Sequence, residues 1–117
     1  MTTPQVIAVL GEPDKRTGNF LHYIRYGFSV ISQPGKETLR AVFCGNSWGQ
    51  ENALTKAFKG RTSAGIGMGS TRADVIAAYG EPSEIHPGNA NETLVYQQLD
   101  MTFTLARGKV VYLVVNF

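Results

Sequence analysis

The chain has 117 residues, of which 43% are hydrophobic and 17% charged. Those proportions describe one small folded domain and exclude a disordered chain, while a net charge of +2 is too mild to mark a nucleic-acid or other polyanion partner. Cys44 is the single cysteine, which excludes an internal disulfide, and no run approaches the ~18 apolar residues of a membrane span.

The first predicted element is a short helix. Thr2 and Gln5 have the spacing of a capping box, Pro4 falls in the first turn, and Val6, Ile7 and Leu10 form one apolar stripe. Gly11 stands where a left-handed C-cap belongs, and Pro13 prevents continuation. A helix this short is marginal alone, so its stripe must pack on something. Phe20–Tyr26, Phe28–Ser32 and Thr38–Cys44 follow as strands rich in aromatic and β-branched residues, with a turn at Gln33-Pro34-Gly35-Lys36. The short connections imply antiparallel hairpins. In the next stretch Ser47 and Gln50 precede Ala53, Leu54, Ala57 and Phe58, which predicts a short helix.

The pattern then begins again. Residues 71–82 repeat residues 2–13 with seven of twelve identities and no gap, ending in the same Gly-Glu-Pro. Thr71 and Asp74 take the capping positions, and Val75, Ile76 and Tyr79 take the stripe. Leu94-Val95-Tyr96 answers Leu21-His22-Tyr23 after an insertion in the loop Ser83–Glu92. Thr93–Leu99, Met101–Leu105 and Val110–Phe117 are the matching strands. Val110–Val115 does not alternate, so both of its faces should be covered: one by helices, the other by the partner repeat, a second chain or another protein. The expected class is therefore α+β: tandem repeats of a helix then three antiparallel strands, with short helices on one face of the sheet. A single domain over 1–117 divides into repeat one (1–45), a connector (46–64) and repeat two (65–117).

The lead-in Thr62–Thr71, with its glycines at 65, 67 and 69, runs on to Val75 and Tyr79-Gly80-Glu81-Pro82. It resembles the Gly-Ile-x-x-Gly-x-(Ser/Thr)-x-x-x-Val…Gly-x-Pro pattern of small bacterial envelope proteins. These include the SmpA/OmlA (BamE) lipoproteins and the tandem-repeat β-lactamase-inhibitor-protein (BLIP) fold. The resemblance implies helices on antiparallel sheet, no enzymatic activity, and work done by binding other proteins in the cell envelope. Repeat one lacks the glycine-rich lead-in, and no signal peptide or lipobox precedes it, so the chain is expected to be the tail of a longer precursor.

Four constellations bear on chemistry. Gly67, Gly69, Ser70 and Thr71 enter a helix N-terminus that can hold an anion, with Lys56, Lys59 and Arg61 close by; the alternative is a tight turn that brings the backbone to the sheet. Cys44 with His22 or His86 is a candidate thiol–base pair for a hydrolase, against a small buried apolar group. Glu12 and Glu81 sit in duplicated turns, which explains both without a reaction. Phe20, Tyr23, Tyr26, Tyr96, Tyr112 and Trp48 divide between core and partner surface, with Trp48 the foremost candidate for exposed partner contact. The expected function is a non-catalytic protein-interaction or structural module with no cofactor and no metal. It would bind another protein or itself through the sheet. The alternatives are an anion- or small-ligand-binding domain using Gly65–Thr71, then a Cys44 hydrolase.

Overall fold

The computed structural model describes residues 1–47, 51–88 and 90–117. Among them, eight strands form one antiparallel sheet: β1 (Lys15–Thr17), β2 (Phe20–Tyr23), β3 (Phe28–Ser32), β4 (Leu39–Gly45), β5 (Glu84–Pro87), β6 (Asn91–Tyr96), β7 (Met101–Ala106) and β8 (Lys109–Asn116). Their spatial order is β1-β2-β3-β4-β8-β7-β6-β5, so two four-stranded halves meet along β4 and β8. Three short helices accompany the sheet: α1 (Thr3–Leu10), α2 (Ala53–Ala57) and α3 (Arg72–Tyr79).

This corrects the expected class. The protein is not a series of helix-then-three-strand units; each half supplies four strands to one continuous eight-stranded sheet, and the helices are accessory to it. The strands that the pattern missed are β1 and β5, whose side chains are exposed along their whole length. An edge strand with no buried face has no apolar alternation, so the period-two signal is absent. Their composition, Lys-Arg-Thr and Glu-Ile-His-Pro, also protects the sheet edges from further pairing. β5 occupies the segment expected as an insertion loop. Two strand ends are corrected likewise: Ile24–Tyr26 and Gln97–Leu99 are 3-10 turns, closed by Gly27 (φ 76°) and Asp100 (φ 53°). Within the connector, the short helix forms, but its cap is Asn52 rather than Ser47. The Asn52 side chain accepts hydrogen bonds from the amides of Leu54 and Thr55.

Strand parity divides the sheet into two faces. Val6 of α1 is buried with Leu21, Tyr23, Val30 and Leu39; Val75 of α3 is buried with Leu94, Tyr96 and Phe103. Phe58, just after α2, sets its ring edge-on against Phe28 at 6.3 Å. All three helices therefore lie on the same side, and Phe28 and Val42 pack against both clusters. β8 runs through the middle of the sheet between β4 and β7. Its unbroken apolar run places apolar residues on both faces, and a bulge shifts their parity. Tyr112 pairs with Thr104 while Val110 pairs with Leu105, leaving Val111 as the extra residue of a bulge. Val110 and Leu113 point to the helices, and Tyr112 and Val114 to the other face.

The two halves share their local chemistry. Both capping boxes close, through Thr2 with Gln5 and Thr71 with Asp74. Gly11 (φ 82°, ψ −172°) and Gly80 (φ 81°, ψ −165°) have positive φ as expected, but with ψ near 180° instead of the left-handed helical value, a region open essentially to glycine alone. The Tyr23 hydroxyl donates to the Gly11 carbonyl at 2.9 Å, and the Tyr96 hydroxyl to the Gly80 carbonyl at 2.8 Å. Each Gly-Glu-Pro corner is thus pinned to the sheet by a buried tyrosine.

Candidate functional site

The glycine-rich lead-in is a structural turn. Gly67 N–H donates to Ser70 Oγ at 3.0 Å, Ser70 N–H to the Gly67 carbonyl at 3.1 Å, and Gly69 N–H to the Val110 carbonyl at 2.9 Å. Thr71 N–H donates to Asp74 Oδ2 at 2.9 Å, which puts a carboxylate where an anion at the helix N-terminus would sit. All four amides proposed to hold an anion are thereby engaged within the chain. The turn drives Ile66 into the core and holds the backbone against the start of β8.

The thiol and the imidazoles are on opposite sides of the sheet. Cys44 is 4% exposed, pairs with Phe28 and Leu113, and packs in the helix-side core. Burial pushes its thiol up to about 12, so the nucleophilic thiolate is suppressed at neutral pH. His22 alternates with Leu21 and Tyr23 and therefore points away from the helices, where its Nδ1 lies 2.8 Å from Ser29 Oγ. His86 is exposed on the edge strand β5, with Nε2 3.2 Å from Glu84 Oε2. No thiol–imidazole pair is assembled. Glu12 is paired at the surface with Arg16 at 2.8 Å, and the two Gly-Glu-Pro corners belong to different halves.

The helix-free face is the first candidate surface. Cross-strand pairing places His22, Ser29, Phe43, Val114, Thr102 and Val95 in one row across the sheet. Phe20 stacks on His22 at 5.5 Å between centroids, Phe20 meets Phe43 at 5.8 Å, and Phe43 lies nearly parallel to Tyr112 at 6.5 Å. These rings form a continuous half-buried aromatic ladder, and among the described residues no helix covers it. The aromatic residues thus sort by parity. Tyr23 and Tyr96 belong to the helix-side core, Phe20 and Tyr112 to the open face, and Tyr26 is exposed beside the Arg25 guanidinium at 4.9 Å. Trp48 lies outside the described residues. Phe43 was missed as a surface candidate, although alternation with buried neighbours in β4 is the signal that could have found it.

The second feature is a basin of about 900 Å³ on the helix side, between α2, the loop after it and the β7–β8 hairpin. Lys56, Lys59, Arg61, Arg107 and Lys109 line it, above a floor that includes Phe58, Met68, Val110 and Val111. Of the four glycine-loop candidates only Gly69 reaches this basin.

No family model and no curated protein matches the sequence. Among solved structures, the crystal structure of a DUF4309 family protein (YjgB) from Bacillus subtilis is similar in fold. Its TM-score is 0.61 at 12% sequence identity, over 98% of this chain and 77% of that one.

Proposed function

We propose that the protein is a non-catalytic interaction module that binds another protein on its open sheet face. The observation that carries this reading is the uncovered aromatic ladder Phe20–His22–Phe43–Tyr112. Half-buried rings held rigidly on a sheet supply large apolar contact area at little cost in side-chain entropy, and aromatic residues are enriched where interfaces concentrate their energy. The non-catalytic part of the reading is supported by the burial of the single thiol beneath the helices, with both imidazoles on the other side. A cell-envelope setting rests on the resemblance of the Gly65–Pro82 pattern to the envelope proteins named above, and fractionation of the tagged full-length protein tests it.

Photo-crosslinking in the native cell tests the interaction. With p-benzoylphenylalanine in place of Phe43, one discrete heavier adduct is expected; in place of Val9, 80% exposed on α1, none is expected. Tyr112→Val, which keeps a β-branched residue on the central strand, should weaken the adduct while the variant still unfolds cooperatively above the assay temperature. An adduct of twice the chain mass assigns the face to self-association. Equal labelling from both positions, or none from position 43, overturns the reading.

A further inference from the structure

The basin beside α2 gathers five of the chain's eleven basic side chains, from a protein whose net charge is only +2. The single carboxylate lining it is Glu51, whose pairing with Lys56 is long, at 3.9 Å, and solvent-exposed on both sides. Such a contact neutralises little. Arg61 donates to the Gly65 carbonyl at 3.0 Å, which orients its guanidinium without cancelling its charge. Among the described residues, Lys59, Arg107 and Lys109 meet no carboxylate. Like charges gathered in a concave surface repel one another and raise the local anion concentration.

A second observation concerns the backbone. The β7–β8 hairpin turns through Arg107 (φ 54°) and Gly108 (φ 76°), so both central residues have positive φ. Asn-Gly or Gly-Gly is the unstrained solution for such a turn, and a long side chain there costs about 1–2 kcal/mol. A charged residue held in strained backbone at the mouth of a basin is a feature to be explained by function. The floor adds a third element, since the half-buried Phe58 and Met68 present apolar surface beneath the cationic rim.

We propose that this basin binds a small organic oxyanion carrying at least two negative charges next to an apolar group. The guanidinium of Arg107 and the ammonium groups of Lys59 and Lys109 would take the oxyanion, and Phe58 and Met68 the apolar part. This site is separate from the open sheet face, since it lies on the helix side, and its test is independent of the one for that face.

The test is an amide NMR titration of the full chain at low ionic strength with phenyl phosphate, inorganic phosphate and vesicles of phosphatidylcholine containing phosphatidic acid. Phenyl phosphate should shift the amides of Lys59, Gly69, Lys109 and Val111 saturably, and inorganic phosphate should bind about tenfold more weakly because it leaves the apolar floor unfilled. Arg107→Asn relaxes the turn while removing the charge. It should lower phenyl phosphate affinity about tenfold, as loss of one charge-assisted contact does, without lowering the melting temperature. Lys59→Gln provides a second reading outside the strained turn, with a similar loss expected. Lys36→Gln, in the turn between β3 and β4, should bind like the parent. The proposal is overturned if shifts spread over all basic residues without saturation, if Arg107→Asn and Lys59→Gln bind like the parent, or if only the vesicles bind.

Discussion

Replacing Tyr23 and Tyr96 by Phe, singly and together, isolates what pins the two Gly-Glu-Pro corners. Each substitution keeps the ring, and with it the stacking of Tyr23 on Phe28 at 5.3 Å and the edge contact of Tyr96 with Phe103 at 5.8 Å. What is lost is one hydroxyl-to-carbonyl hydrogen bond, of 2.9 Å at Gly11 and 2.8 Å at Gly80. A neutral hydrogen bond contributes about 1 kcal/mol net, and a stranded buried acceptor adds to that. Gly11 and Gly80 are exposed, so water can reach the freed carbonyls, and the loss should stay near ~1 kcal/mol for each variant. A chain of this length unfolds with an entropy on the order of 0.25 kcal/mol/K, so each variant should melt about 4 °C lower. The two sites share no partner, so the double variant should lose about 2 kcal/mol, or about 8 °C, with additivity to within ~0.5 kcal/mol. Calorimetry and urea unfolding measure both quantities. Single variants that melt within a degree of the parent would refute the pinning role, and strong non-additivity would refute the independence of the halves.

Burial raises the pKa of Tyr23 and Tyr96 in the folded state, and lifts those of Cys44 and Tyr112 to about 12. The folded protein therefore keeps protons that the unfolded chain releases from its ordinary values of 9.0 for the thiol and 10.0 for the phenols. Stability should be level from neutral pH up to about pH 9 and fall steadily from there toward pH 12, with Cys44→Ala removing the earliest part of the decline. A urea midpoint unchanged between pH 8 and about pH 11 would contradict this. At pH 8 native Cys44 should react with a disulfide reagent about a thousandfold more slowly than the denatured chain, because thiolate is scarce and access is blocked. Equal rates would place the thiol at the surface. Gly80→Ala should cost about 1–3 kcal/mol through backbone strain alone, since an added Cβ meets no atom within 4 Å; a neutral effect in thermal melts would show that the corner can relax. At the acid end, Asp14 is held low by the Arg25 amide and guanidinium, and Asp74 by the Thr71 amide and hydroxyl. The stability both carboxylates lend is present above their ordinary value of 3.8 and should be lost as pH falls below it, an effect that Asp14→Asn would reduce in acid titration.

Much of the local structure was legible in the residues. Both capping boxes, both positive-φ glycine corners, and the strands Phe28–Ser32 and Met101–Leu105 follow from propensity and spacing, because these features are closed within a few neighbouring residues. The matching of residues 2–13 with 71–82 pointed to equivalent corners, and the tyrosine hydroxyls complete them.

The tertiary structure decided the rest. β1 and β5 exist only because a neighbouring strand offers hydrogen bonds to an exposed segment, a partnership that no local apolar pattern announces. β8 carries apolar residues on both faces, with a bulge at Val111 that shifts their parity, so no local pattern tells which face each residue takes. Edge-to-edge joining of β4 and β8 made one sheet of two halves, covered by helices on one side and, among the described residues, bare on the other. The basic basin brings Lys56, Lys59 and Arg61 from the connector to Arg107 and Lys109 some fifty residues later. Sequence determined which corners cap and turn, since those forces act over one or two turns of chain. Only the folded sheet decided which aromatic rings and which charges would share a surface, because that depends on strand pairing between distant segments.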